Sequence, residues 1–307
     1  MRKKVAIIGA GHVGASAAQL LAYDGVADVV LFDIAGGMPQ GKALDIAEAC
    51  PLYRSSVSVA GTNEYRDTAN SDVVVVTAGF PRKPGMSRDD LLVSNAKVVA
   101  GVMEETVKHS PDAVFIIVTN PMDVMAQLAL QVSALDHWKI VGMGGVLDSA
   151  RFRAFVAMEL GVSAADVEAL VMGGHGDTMV PMPRFTTVKG VPITELLAKG
   201  KIDGLVARTR QGGAEIVSLL KTGSAFYAPA AAISHMVKAV VRDEKRVLPC
   251  SAFLEGEYGV HEVFAGVPVI LGAHGVERII ELELDEDERR DFEKSVSSVR
   301  THFGMIA

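Results

Sequence analysis

The chain has 307 residues, 49% of them apolar and 22% charged, and a formal net charge of −7. That is enough for one large or two ordinary domains of roughly 150 residues, with a substantial core. The acidic balance speaks against a broad nucleic-acid surface, which needs a basic face. The two cysteines, Cys50 and Cys250, lack CxxC spacing, as expected of reduced thiols in a cytoplasmic protein.

Arg2-Lys3-Lys4 before Val5-Ala6-Ile7-Ile8 starts like a signal peptide, but the apolar run stops at Gly9. A signal core needs at least about seven apolar residues, so Val5–Ile8 reads as a first strand. No stretch reaches the roughly 20 apolar residues of a membrane span. A helical segment from Val13 to Ala22 follows, then a strand Val29–Phe32, a helix Gln40–Ala49 and a strand Val57–Ala60. Next come strand Val73–Val76, helix Leu91–His109, strand Val114–Val118, helix Val124–Val132 and strand Ile140–Gly142. Strands that are apolar throughout, rather than alternating, indicate burial on both faces, as in a parallel sheet covered by helices.

Beyond that point the rhythm changes. A helix over 148–160 precedes hairpin-like strands across 167–193, a long helical region over 203–245, strands between 247 and 271, and a charged helix over 285–302. The expected fold is α/β: an N-terminal doubly wound parallel sheet of the Rossmann type over 1–145, then an α+β substrate domain over 146–307. The apolar helices Gly41–Ala49 and Ala228–Val241 read as ordinary core.

Gly9-Ala10-Gly11-His12-Val13-Gly14 is a GxGxxG placed directly after the first strand and at the opening of the first helix. Such glycines permit a tight turn, close approach of a pyrophosphate, and tight helix–strand packing. Asp33 ends the second strand, where a carboxylate can bond a ribose 2′-hydroxyl and repel a 2′-phosphate, so the expected cofactor is NAD. His12 within the motif carries no assigned role.

Three polar clusters remain. The loop Gly79–Asp90 holds Arg82, Lys83 and Arg88 among prolines and glycines, a composition suited to closing cations over an anion. Asp148 and Arg151 stand three apart on one helix face, ordinarily a plain salt bridge. His175 stands among glycines in Gly173-Gly174-His175-Gly176-Asp177, with no second His or Cys at metal-ligand spacing, so no metal is expected. Asn120-Pro121 adds an amide at a strand end.

In this order, the clusters resemble the lactate/malate dehydrogenase family over essentially the whole chain, and most closely its malate-specific, lactate-dehydrogenase-like branch. The resemblance implies NAD-dependent interconversion of malate and oxaloacetate, with His175 as acid/base oriented by Asp148. It also implies that Arg151 grips the C1 carboxylate, that Arg88 polarises the C2 oxygen, and that Asn120 bonds near substrate or nicotinamide. Gly9, Gly11, Gly14 and Asp33 would hold the cofactor. Arg82 stands where the family's lactate-specific members carry Gln, so it would meet a second carboxylate. Ser224-Ala225 would form the facing wall. A homodimer or homotetramer is implied by resemblance alone, with no nucleic acid and no membrane as partner.

Other readings are weaker. A lactate or other 2-hydroxy-acid dehydrogenase conflicts with Arg82, because an unpaired buried cation is costly. The NAD- and metal-dependent glycosidases of family 4 hold their metal partly through a Cys before the Asn-Pro, where this chain has Thr119. A non-catalytic NAD sensor would have no use for His175, Asp148, Arg151 and Arg88 together.

Overall fold

The computed structural model describes residues 2–80 and 88–306, the Arg88 side chain excepted. The first strand, β1 (Lys4–Ile8), leads through the glycine turn into α1 (His12–Tyr23). Then follow β2 (Asp28–Phe32), α2 (Met38–Ala49), β3 (Val59–Thr62) and β4 (Val73–Val76). After α3 (Arg88–His109) come β5 (Val114–Ile117), α4 (Met122–Ser133), β6 (Ile140–Gly142) and α5 (Gly145–Leu160). Strand β3 begins two residues later than Val57, where the sequence pattern starts it.

The first six strands are parallel and lie in the order β6-β5-β4-β1-β2-β3. Val73 to Val76 and Phe115 to Ile117 are fully buried, which is why these strands read as unbroken apolar runs. The connection reverses between β1 and β4, and ligands of such sheets bind at the strand C-termini beside that switch point.

The second half builds short strands around α5: β7 (Val167–Glu168), β8 (Val171–Met172), β9 (Val180–Pro181), β10 (Thr187–Val188) and β11 (Val191–Pro192). They pair as β11-β10-β7 and β8-β9. Helices α6 (Ile193–Leu196), α7 (Lys199–Leu220) and α8 (Tyr227–Val241) follow. The continuous helical region expected over 203–245 is therefore two helices, interrupted over 221–226, with Gly223 at φ +85°. Strands β12 (Arg246–Glu255), β13 (His261–Gly272) and β14 (Gly275–Ile279) precede the closing helix α9 (Glu286–Phe303).

Here the structure adds something that periodicity does not carry. Strand β12 pairs antiparallel with β6 through Ser251 and Gly142, so β12-β13-β14 extend the parallel sheet to nine strands. A Cβ on Gly142 would lie 2.7 Å from Ser251 Cβ and 2.2 Å from Met122 Sδ, so the junction admits no side chain there. One large core spans both halves, and a smaller one of Phe152, Val156, Val167, Met179, Ile193 and Leu205 sits between α5 and α7. Helix α8 is largely buried, whereas α2 leaves Leu44 60% exposed.

Phe264, on β13, is fully buried within the large core. Phe264→Ala should lower unfolding free energy by about 3–5 kcal/mol, read by denaturant titration. A loss under about 1 kcal/mol would mean that this part of the sheet does not unfold with the rest.

Candidate active site

The cofactor motif is built from what its glycines exclude. Gly9 adopts φ +113°, and a Cβ on it would lie 2.7 Å from the Ala78 backbone nitrogen beyond β4. A Cβ on Gly14 would lie 1.9 Å from the Gly9 carbonyl oxygen. Gly11, the N-cap of α1, faces open space, with nothing within 4 Å of a Cβ placed there. Tight packing behind and room in front, at a helix N-terminus whose first N–H groups lack intrahelical partners, fit a dinucleotide pyrophosphate.

Asp33 sits one residue past β2. Its Oδ2 accepts the Ala10 N–H at 2.7 Å and its Oδ1 accepts the Ala35 N–H at 3.0 Å, so the carboxylate is fastened to the glycine turn. Lys42 of α2, which the sequence reading passed over, donates from Nζ to the Ala10 carbonyl at 2.6 Å. His12 stacks on Phe226 with ring centroids 5.0 Å apart, which brings the segment holding Ser224 and Ala225 beside the glycine turn.

His175 lies in the loop after β8. Its anchorage explains the glycines around it: Gly173 (φ +75°) exchanges two backbone hydrogen bonds with Gly266 of β13, at 2.9 and 3.0 Å. A Cβ on Gly266 would lie 2.3 Å from the Gly173 oxygen. Asp148 is in the first turn of α5, where the helix dipole favours negative charge. Its Oδ2 is 2.7 Å from His175 Nδ1, and its Oδ1 accepts from Arg151 Nη1 at 3.1 Å. The Asp148 side chain is 2% exposed and the His175 side chain 14%.

Burial works against the His175 imidazolium and is the largest single influence on it. The charge and hydrogen bond of Asp148, with the charge of Asp123, outweigh burial and the nearby Arg151, so its pKa is raised above the ordinary histidine value.

The structure thus brings His175, Asp148 and Arg151 into one hydrogen-bonded group. Arg151 Nε is buried with no partner among the described residues. Beside it lies a cavity of about 300 Å³, lined by Arg151, Phe155, Arg208, Gly212 and Glu215 but not by His175 or Asp148. Asn120 follows β5 by a cis bond to Pro121, and its carbonyl accepts from the buried Asn95 side chain at 2.7 Å. The Thr119 hydroxyl donates to Ala78 at 2.7 Å, tying this strand end to the residue that packs against Gly9. The glycine turn, Asn120 and the His175 group therefore share one end of the sheet. Arg82 and Lys83 lie outside the described residues, and so does the side chain of Arg88, whose backbone opens α3.

Sequence reasoning missed Asp123, Ser251 and Asn95. Asp123 is 4% exposed, Ser251 is fully buried, and Asn95 is 1% exposed. The only cue to Asp123 was its place three residues after Asn120, at the start of a helix. Among the described residues, no group of three or more His, Cys, Asp or Glu could hold a metal. None of their helices is long and apolar enough to cross a membrane.

Residues 3–142 match the family model of the lactate/malate dehydrogenase NAD binding domain, and residues 145–304 match that of the lactate/malate dehydrogenase alpha/beta C-terminal domain. A malate dehydrogenase of Desulforudis audaxviator is 56% identical over 97% of this chain and 97% of its own length. One from Roseiflexus castenholzii is 54% identical over 100% of this chain and 99% of its own. The malate dehydrogenase of Picrophilus torridus superposes with a TM-score of 0.97 at 48% identity, covering 100% of this chain and 98% of that one. A lactate dehydrogenase of Cryptosporidium parvum also superposes at 0.97, with 45% identity and coverage of 100% and 98%. With two matched family models end to end over one continuous sheet, the chain belongs to the lactate/malate dehydrogenase family.

Proposed function

We propose that the chain is an NAD-dependent malate dehydrogenase in which His175 moves the proton and Asp148 orients it. The observation that carries this reading is the 2.7 Å contact between His175 Nδ1 and Asp148, with Arg151 on the other oxygen of the same carboxylate. Nδ1 is occupied by Asp148, so Nε2 is the nitrogen that takes the C2 hydroxyl proton from malate and returns it to oxaloacetate. NAD, when bound, supplies the hydride acceptor; Gly9, Gly11 and Gly14 hold its pyrophosphate, Asp33 its ribose, and Asn120 the nicotinamide side.

Arg151 grips the C1 carboxylate. Its Nε, buried and without a partner among the described residues, is a donor that an incoming carboxylate would satisfy. Arg88 polarises the C2 oxygen, and Arg82 meets the second carboxylate; both assignments rest on sequence position. Because lactate and malate dehydrogenases superpose equally well on this chain, substrate choice turns on a side chain rather than on the fold. A homodimer or homotetramer is supported by the exposed Leu44, Leu52 and Tyr53 near the end of α2, and a cytoplasmic setting by the free, buried Cys50 and Cys250.

Two measurements test this reading. With NADH at neutral pH, kcat/KM for oxaloacetate should exceed that for pyruvate by about a thousandfold, unchanged by EDTA, and Arg82→Gln should erase most of the difference. A wild-type preference for pyruvate would refute the substrate, and loss of turnover in EDTA would revive the metal-dependent alternative. The second measurement is pH. His175 is raised above its ordinary value of 6.5, so its imidazolium persists to higher pH in the folded enzyme. Oxaloacetate reduction needs that proton and should lose kcat/KM as pH rises through the raised value, while malate oxidation gains over the same interval. His175→Asn should cost about 10²–10⁴ in rate and abolish both limbs; limbs surviving in that variant would assign the proton to another group.

A further inference from the structure

His175 is held by two carboxylates, not one. Besides Asp148 on the ring, Asp123 Oδ2 accepts the His175 backbone N–H at 2.6 Å. The other oxygen of Asp123, Oδ1, accepts the Ser251 hydroxyl of β12 at 2.7 Å. Asp123 lies in the first turn of α4, and Asp148 in the first turn of α5, so two helix N-termini converge on one histidine loop. The backbone arrangement leaves little tolerance. A Cβ on Gly174 would lie 3.3 Å from Asp123 Oδ2 and 3.1 Å from Val299 of α9, and a Cβ on Gly144 would lie 3.0 Å from His175 Cβ. From α9, the Ser295 hydroxyl accepts the Gly174 N–H at 2.7 Å.

A buried carboxylate held, among the described residues, by a hydroxyl and a backbone amide is an expensive way to secure a loop, since neutral donors compensate little of its desolvation. A serine or asparagine could have accepted the same N–H. What only a carboxylate adds is charge beside the imidazole.

We infer that Asp123 is a second positioning residue for the proton-transfer step, fixing the His175 backbone and adding a negative charge that favours the imidazolium. Among the described residues, the charged and titratable groups acting on the pair are Asp148 and Arg151 from α5, while β12 and α9 present the neutral Ser251 and Ser295. Burial and, to a smaller extent, the like charge of Asp148 raise the Asp123 pKa against the lowering effect of Ser251 and the His175 N–H and charge, so its ionised form leans on those two donors. Asp123 touches no reacting atom, and its role is exerted through His175.

The inference rests on the malate dehydrogenase reading, and its test separates the two. In the full-length enzyme, kcat/KM for oxaloacetate is followed against pH for the wild type and Asp123→Asn, with NADH affinity measured by fluorescence titration. Asn keeps a side-chain acceptor for the His175 N–H but removes the charge. The alkaline limb of the variant should move to lower pH by roughly half a unit or more, with NADH affinity unchanged. A limb that stays at the wild-type position in an active variant overturns the inference and leaves Asp123 a loop anchor. If wild type neither binds NADH nor reduces oxaloacetate, the functional reading itself fails. Should Asp123→Asn not fold, Ser251→Ala carries the test. It removes one donor, so Asp123 holds its charge less readily, and the alkaline limb should again move to lower pH than in the wild type. An alkaline limb that stays at the wild-type position in Ser251→Ala overturns the inference in that case.

Discussion

Asp148 carries its charge at the start of α5 with almost no solvent around it, and its two oxygens face different partners, His175 and Arg151. An uncompensated carboxylate there would cost several kcal/mol. Compensation comes from an imidazole that gains a proton more readily beside it, from a guanidinium one turn along, and from the helix dipole. The same charge that must be neutralised for folding thus sets both the basicity of His175 and the position of Arg151. Structure and chemistry make the same demand on this carboxylate.

The surroundings serve that arrangement. The His175 loop is fastened to β13 through the paired Gly173 and Gly266, to α9 through Ser295, and to α4 through Asp123. Strand β12 brings Ser251 to Asp123 because it continues the sheet from β6. The nine-strand sheet is therefore the scaffold on which the glycine turn after β1 and the His175 group after β8 are held at one end. Rigid elements position such groups better than free loops, and here the loops are short and pinned.

Much of the first half was legible because a parallel sheet buried on both faces leaves an unmistakable trace. Val73–Val76 and Val114–Ile117 appear as unbroken apolar runs, and the glycine motif sits between a strand and a helix. Elsewhere the pattern was less informative. Periodicity alone could not separate α7 from α8, since both keep apolar spacing and only the residues over 221–226 break the helix. The short pairs β7 to β11 are two residues each, too brief for alternation to register. Among site residues, His175 stood out by its glycine neighbours, while Asp148 and Arg151, an ordinary pair by spacing, stood out only through the family resemblance. Asp123 and Ser251 look like ordinary polar positions and become notable only when burial removes the water that would otherwise solvate them.

By itself the sequence determined the strand and helix order of the first half, the glycine turn after its first strand, the family to which the chain belongs, and which polar residues were available for chemistry, because these depend on local propensity and on residue type at fixed spacing. Tertiary structure alone decided that β12 to β14 complete the first sheet, that Asp148 serves His175 and Arg151 at once, and that a second carboxylate stands behind the histidine. Those outcomes join residues as much as 128 positions apart, as in the bond from Ser251 to Asp123. Their energies come from desolvation and charge proximity, quantities that exist only after the chain has closed on itself.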